Sequence, residues 1–272
     1  MEIKKTLIEE ISNACDLVFV SGPPRSGTTL AHALLCTSNN TNDYVPECSY
    51  FTGMLNNFVK SSRHVHHNED LYGSMDLFKD LAFEQIAFAL LQLWRRLDSP
   101  EVLCLKDPNL AIHFRWLHQM ISGVKYVLII RPPTETISSQ ITVMTKQNRR
   151  VDDSALKQLC QQLNAYYDLI SKLQATAYER TLIIEYQSIL DQTCVKPIKD
   201  FIPGSSPDYQ KLWLSEFTSV VDRGGPWTSP LYGKPASTLK TRADVLTESQ
   251  RTLVNTMCEA HFVTLTTGQH GN

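Results

Sequence analysis

Residues 18–35, VFVSGPPRSGTTLAHALL, join an apolar run to a turn rich in glycine and proline and then to a helix-forming segment. Gly22 and Gly27 have the spacing of phosphate-binding G-x-x-x-x-G-K-[ST] loops, whose backbone N–H groups bind anions at a helix start. Thr28 replaces the usual lysine, and Arg25 places a cation inside the turn. Without that lysine, which reaches the far phosphates of a triphosphate, we expect a compact 5′-phosphate group and no Mg²⁺. The alternative is a tight turn whose glycines serve only chain reversal.

A second anion-binding pattern lies in YVLIIRPPTETISSQ, residues 126–140. Arg131 ends an apolar run, and Ser139 follows eight residues later in a helix opened by two prolines. A guanidinium at a strand end and a hydroxyl on the next helix can converge on one phosphate. An ordinary strand end followed by a helix is the alternative.

The elements that position these residues alternate between short apolar runs and longer segments with helical spacing. This alternation predicts an α/β fold with a central parallel β-sheet flanked by helices, whose ligands bind at the carboxyl ends of the strands. Weaker signals are a strand near Asp43–Val45 and a long loop over 203–242, which we interpret as a lid or acceptor loop. The predicted strands are 17–21, 101–106, 125–131 and 180–186, and the main predicted helices are 76–97, 109–121, 134–147, 154–178 and 247–262.

Composition favours an ordinary globular enzyme in one domain, residues 1–272. The formal net charge of −2 gives no electrostatic reason to expect nucleic acid or a membrane surface as a partner. The seven cysteines form no CxxC pair, which is typical of reduced thiols in the cytoplasm. No spacing typical of metal ligands is visible, and we expect no metal.

The first loop resembles the 5′-phosphosulfate loop of sulfotransferases that use 3′-phosphoadenosine 5′-phosphosulfate (PAPS). Pro24, Arg25, Ser26, Gly27, Thr28 and Thr29 match each position of its P-[KR]-S-G-[ST]-[ST] pattern. Arg131, Pro133 and Ser139 match the family's Arg-x-Pro…Ser pattern, which binds the 3′-phosphate, with Ser138 as a neighbouring substitute. The resemblance implies the sulfotransferase version of the P-loop-containing nucleoside triphosphate hydrolase fold and a stand-alone enzyme of bacterial type.

Two further parts of the family pattern are matched less fully. Tyr186 matches the tyrosine that borders the adenine, although Gln187 and Ser188 replace the usual acidic pair. Arg223 and Gly224 echo the family's late Arg-Lys-Gly loop. Other late basic residues are alternatives for the 3′-phosphate: Lys234, Lys240 and Arg242.

The resemblance also implies catalytic roles. Arg25 and Lys106 would stabilise charge on the 5′-phosphate and the sulfuryl group, but Pro108 stands where cytosolic members have their catalytic histidine. Glu47, just ahead of two aromatic residues, matches the base of heparan-type members; its alternative role is that of an acid at a helix N-terminus. His66 is a rival base, together with its neighbours His64 and His67, although a solvated loop is the commoner role of such a run.

These residues predict transfer of a sulfuryl group from PAPS to a hydroxyl or amine of a small molecule, leaving 3′-phosphoadenosine 5′-phosphate (PAP). A cationic acceptor is one option, because acidic residues cluster after the histidines; an exposed helix start is the other reading of them. Two further classes stay open, a P-loop kinase using ATP and Mg²⁺ and a non-catalytic nucleotide-binding protein. The sequence predicts no oligomeric state. The acidic cluster is Glu69, Asp70, Asp76 and Asp80.

Overall fold

The computed structural model describes residues 4–213 and 245–267. In this part of the chain, parallel strands form one sheet in the order β2-β1-β3-β4, with β1 and β3 in its interior. The strands β1, β2 and β3 are almost continuously apolar and buried, as expected for a sheet covered on both faces, whereas β4 at one edge is partly exposed. The predicted α/β class is therefore confirmed. The strands are β1 (Asp16–Ser21), β2 (Val102–Lys106), β3 (Lys125–Ile130) and β4 (Thr181–Glu185).

Helices cover both faces of this sheet, and those predicted from helical spacing begin and end within a few residues of the expected positions. The predicted helix over 109–121 is divided, because a 3-10 turn over Pro108–His113 precedes α6. The helices are α1 (Lys4–Ala14), α2 (Thr28–Leu35), α3 (Ser49–Ser61), α4 (Val65–Tyr72), α5 (Met75–Arg96), α6 (Phe114–Met120), α7 (Pro133–Lys146), α8 (Asp153–Thr176), α9 (Tyr186–Leu190), α10 (Val195–Phe201) and α11 (Glu248–Thr267).

Side chains of β1 alternate between two hydrophobic layers. Leu17 and Phe19 join a layer with α1, α5, α7, α8 and α11, whereas Val18 and Val20 join one with α2, α9 and α10. Since β1 is held by β2 on one side and β3 on the other, the loop that follows it is fixed at the centre of the sheet's carboxyl edge.

Two expectations between β1 and β2 are wrong. The histidine run is helical rather than a loop, because residues 65–72 form α4. The weak strand at Asp43–Val45 does not form, and Thr41 makes only a single parallel bridge to Val102. The side-chain amide of Asn42 explains this: its Oδ1 accepts from the N–H of Cys104 at 2.7 Å, and its Nδ2 donates to the carbonyl of Cys104 at 3.2 Å. These contacts occupy the backbone groups that another strand would use.

The long loop is described only at its start. The N–H groups of Ser206 and Asp208 donate to the hydroxyls of Ser38 and Thr37, which fixes this start near the end of α2. Residues 214–244 lie outside the described part, so the lid and the single-domain boundaries stay predictions. None of the described helices has the length and apolar character needed to cross a membrane. All seven cysteines are free thiols.

Candidate active site

The loop after β1 is tightly packed, and two of its glycines leave no room for a side chain. A Cβ on Gly22 would lie 2.3 Å from the carbonyl oxygen of Ile129, and one on Gly27 would lie 2.4 Å from the ring of Tyr186. Gly27 also has a left-handed backbone with φ of 108° and immediately precedes α2. The amides at the start of α2, which have no partner within the helix, therefore face an open edge where an anion can bind.

Ser26 shows that this loop suits an anion. Its hydroxyl is fully buried, and its Oγ atom has no hydrogen-bond partner among the described residues. A buried hydroxyl without a partner costs about 1–3 kcal/mol, and a phosphate oxygen in the loop would accept a hydrogen bond from it. The adjacent Thr28 is buried too. The residues present thus fit a bound phosphate group.

The two predicted phosphate motifs touch each other. The guanidinium Nε of Arg25 lies 3.3 Å from Oγ of Ser139 in α7. One residue further along α7, the side-chain amide of Gln140 donates to the carbonyl of Pro24 at 2.9 Å. Sequence analysis missed Gln140, because nothing in its spacing marks a contact to a loop more than a hundred residues away.

Arg131, at the end of β3, is buried and oriented by three neighbours. Its Nε donates to Glu135 at 2.8 Å, and its guanidinium carbon lies 4.3 Å from the centre of the Tyr186 ring. Its carbonyl accepts from the hydroxyl of Tyr167 at 2.8 Å. Glu135 was also missed, although it lies four residues after Arg131, the spacing at which charges pair along a helix. Tyr186 packs against both motifs, since its ring also covers Gly27.

Lys106, at the end of β2, connects the phosphate loop to Glu47. Its side chain is only 2% exposed, and its Nζ donates to Oγ1 of Thr29 at 3.0 Å and to Oε1 of Glu47 at 2.6 Å. The N–H of Cys48 donates to the carbonyl of Lys106 at 3.0 Å, which holds the residues around Glu47 against the strand. A buried ammonium needs such partners. The half-exposed carboxylate of Glu47 lies at the edge of this arrangement.

The rival base His66 does not join this group. Its side chain is 94% exposed on α4, and its Nδ1 lies 4.0 Å from Glu69. Within the described part of the chain it contacts neither Glu47 nor Lys106. His64 and His67 stack on each other, with ring centres 5.8 Å apart. Other predicted site residues lie outside the described residues: Arg223, Gly224, Lys234, Lys240 and Arg242.

Pro108, in the position of the missing histidine, begins a 3-10 turn that is held against the end of β1. The hydroxyl of Ser21 donates to the carbonyl of Pro108 at 2.8 Å and accepts from the N–H of Ala111 at 3.0 Å. His113, at the end of this turn, is buried, and neither ring nitrogen has a hydrogen-bond partner among the described residues. Burial lowers the pKa of His113.

Between α2 and β2, the fold brings together three potential metal ligands that the sequence spacing does not reveal. The nitrogen and sulfur atoms of His32, Cys36 and Cys104 lie within 4.8 Å of one another, and all three residues are buried. His32 Nε2 is also 3.1 Å from the carbonyl of Cys104. No bond joins this cluster to Lys106 or Glu47 within the described residues.

A surface groove of about 690 Å³ begins at Glu47 and Cys48 and lies between α3 and α5. Its walls are mainly apolar. It is the natural place for a molecule that reacts beside Glu47, because that carboxylate is part of its lining.

Comparison with known proteins agrees with this geometry. The model of the sulfotransferase family matches residues 17–193, which include every predicted phosphate-site residue that the structure describes. The chain therefore belongs to the sulfotransferase family. No curated protein matches it.

A solved structure that reaches a TM-score of 0.50 supports the fold. The sulfotransferase domain from the curacin biosynthetic pathway is similar at 14% identity and a TM-score of 0.50, over 89% of this chain and 96% of that one. The sulfotransferase domain of the Synechococcus PCC 7002 olefin synthase gives 16% identity and a TM-score of 0.48, over 88% and 93%. The predicted P-loop sulfotransferase fold is confirmed.

Proposed function

We propose that this protein transfers the sulfuryl group of PAPS to a hydroxyl or amine of a small molecule and releases PAP. The observation that carries the proposal is the contact between Arg25 and Ser139, which joins the two phosphate motifs at the carboxyl edge of the sheet. PAPS and PAP carry phosphate at both the 5′ and 3′ positions, so two adjacent anion sites match the donor. A triphosphate would instead require the loop lysine that Thr28 replaces.

In this proposal, the donor is held by residues from three strand-to-helix connections at the carboxyl edge of the sheet. The amides before α2 and the hydroxyl of Ser26 hold the 5′-phosphate. Ser139 and the guanidinium nitrogens of Arg131 that are not bonded to Glu135 hold the 3′-phosphate. Tyr186, which already packs on Arg131 and Gly27, lies where it can border the adenine.

The transfer requires removal of a proton from the acceptor and stabilisation of the phosphate that leaves. PAPS supplies the activated sulfuryl group. Glu47 accepts the acceptor proton as the new bond to sulfur forms, while the electron pair of the broken S–O bond stays on the 5′-phosphate. Lys106, which contacts Thr29 beside the phosphate loop, and Arg25, which lies within the loop, stabilise that charge. The contact of Lys106 with Glu47 keeps the base next to the transferred group.

Thermal unfolding tests the donor assignment. We expect PAP in EDTA to stabilise the protein, and a ligand at a hundred times its Kd contributes about 2.7 kcal/mol. For a chain of this size the midpoint rises by roughly 5–10 °C. Arg131→Ala should lose the response. Arg150→Ala, which removes an exposed arginine beyond α7, should keep it.

The same experiment, followed by an assay of sulfuryl transfer, separates the alternatives. Stabilisation by ATP with Mg²⁺ and not by PAP would identify a kinase and overturn the proposal. Stabilisation by PAP without turnover of any acceptor would favour a non-catalytic nucleotide-binding protein.

A further inference from the structure

We infer that the acceptor is an elongated amphipathic molecule, with an apolar body and an anionic group, that binds in the groove between α3 and α5. The inference rests on the proposed function and specifies its acceptor class. The groove, its link to Glu47 and the charge of its lining each point to one property of this molecule.

The shape of the groove indicates an elongated occupant. One wall is a single face of α5, because Gln85, Phe88, Gln92 and Arg96 recur at helical spacing and all line the groove. From Gln85 to Arg96 this face extends about 16 Å at the rise of an α-helix. An alkyl chain or a pair of linked rings has this length.

The surface of the groove indicates an apolar body. Phe51, Met54 and Leu93 form apolar parts of its walls. Each wall carries one exposed aromatic side chain, Tyr50 of α3 at 82% and Phe88 of α5 at 53%. A contiguous apolar surface of this kind, next to reactive groups, is typical of a ligand site.

Glu47 fixes which part of the acceptor reacts. It lines the groove and also accepts a hydrogen bond from Lys106, which reaches Thr29 of the phosphate loop. An acceptor in the groove can therefore present its hydroxyl to Glu47 and the transferred group without leaving the apolar walls.

The charge of the lining favours an anionic acceptor over a cationic one. Arg96 is the cation of the lining, and it forms no ion pair with the residues that the structure describes. Its neighbour Arg95 is instead bonded to Glu10 at 2.6 Å. Apart from Glu47, no acidic side chain of the described chain lines the groove. The acidic cluster lies elsewhere, and its Asp76 pairs with Lys79 at 3.1 Å.

Three matched alcohols test the inference: ω-hydroxydecanoate, decanol and aminodecanol, which differ only in the group at the far end. With radiolabelled PAPS we expect kcat/KM to decrease in that order. Arg96→Gln should remove the advantage of hydroxydecanoate over decanol, a change of roughly tenfold for one charge-assisted bond. Arg95→Gln is the control and should keep it. Phe88→Glu should raise KM for hydroxydecanoate and decanol.

Several results would overturn the inference. One is a higher kcat/KM for aminodecanol than for the other two alcohols, and another is an equal effect of Arg95→Gln and Arg96→Gln. A third is a Phe88→Glu variant that changes only from dimer to monomer, which would make the groove an interface between copies. If no alcohol is sulfated, calorimetry decides: hydroxydecanoate must bind the wild type and bind Arg96→Gln more weakly, and absence of binding rejects the inference. The PAP response is measured separately, so failure of the donor assignment is distinguishable.

Discussion

The Nε atom of Arg25 lies 3.3 Å from Oγ of Ser139, although 114 residues separate them in the chain. Arg25 has a left-handed backbone with φ of 75°, an unfavourable conformation for a residue with a Cβ. The loop adopts this conformation and directs the guanidinium to α7. The contact makes the two phosphate motifs parts of one binding surface.

We expect Arg25 and Ser139 to contribute to PAP binding as a coupled pair. Arg25→Ala and Ser139→Ala should each weaken PAP binding, and the double variant should lose less than the sum, with a coupling energy of about 0.5–3 kcal/mol. Calorimetric titration measures all four Kd values. Ser138→Ala is the control, because the Ser138 hydroxyl instead accepts from the N–H of Val245. Ser138→Ala should lower the free energy of unfolding and leave PAP affinity unchanged. Strictly additive losses at Arg25 and Ser139 would contradict the coupling.

The two glycines Gly27 and Gly53 should respond oppositely to the same substitution. Gly27→Ala places a methyl group 2.4 Å from the Tyr186 ring on a backbone with φ of 108°, so it should destabilise the fold and abolish the PAP response. Gly53 lies inside α3, and nothing lies within 4 Å of its added Cβ. Gly53→Ala should therefore stabilise by roughly 0.5–1 kcal/mol. Chemical denaturation measures both, and equal effects would reject the role of close packing at Gly27.

Glu47→Gln should separate chemistry from donor binding. The amide keeps an oxygen that can accept from Lys106 but cannot take the acceptor proton, so we expect kcat to fall by roughly 10²–10⁴. PAP affinity should not change. His66→Gln removes the rival base and should retain the wild-type rate, because His66 is exposed and contacts Glu69. The opposite pattern in the radiolabel assay would assign the base to His66.

The burial of His113 should make the protein less stable in acid. Its pKa is lowered in the folded state, so below the ordinary value of 6.5 the unfolded chain binds a proton that the folded chain does not. Stability therefore decreases as pH falls through 6.5, by at most about 1.4 kcal/mol per pH unit for one proton. His113→Leu should flatten this dependence, whereas substitution of the exposed His118 should not. Urea unfolding between pH 5 and 7.5 checks this, and an unchanged slope for His113→Leu would contradict it.

Local sequence predicted the elements whose signal is local. Apolar runs gave the parallel strands, and the spacing of Arg131 and Ser139 placed both at one strand-to-helix corner. The failures involve contacts from distant parts of the chain. Asn42 prevents a strand by bonding to Cys104, and the groove depends on how α3 packs against α5, which no residue pattern of either helix specifies.

The proposed catalytic residues show the same limit. Lys106 and Glu47 were predicted separately, each from its own motif, but their bond to each other depends on residues 59 positions apart. Gln140 bonds to Pro24, 116 residues earlier in the chain, whereas Glu135 bonds to Arg131 only four residues before it. Sequence patterns therefore identified the residues of the two phosphate motifs and missed the neighbours that orient them.

The interior position of β1 has a consequence for synthesis of the chain on the ribosome. The phosphate loop is synthesised more than a hundred residues before its partners, because Gly22 packs against Ile129 and Arg25 bonds to Ser139. A nascent chain that ends before α7 therefore lacks Ser139 and its contact to Arg25, whatever structure its earlier residues have formed. If PAP binds as we propose, it can assist folding only after α7 has been synthesised.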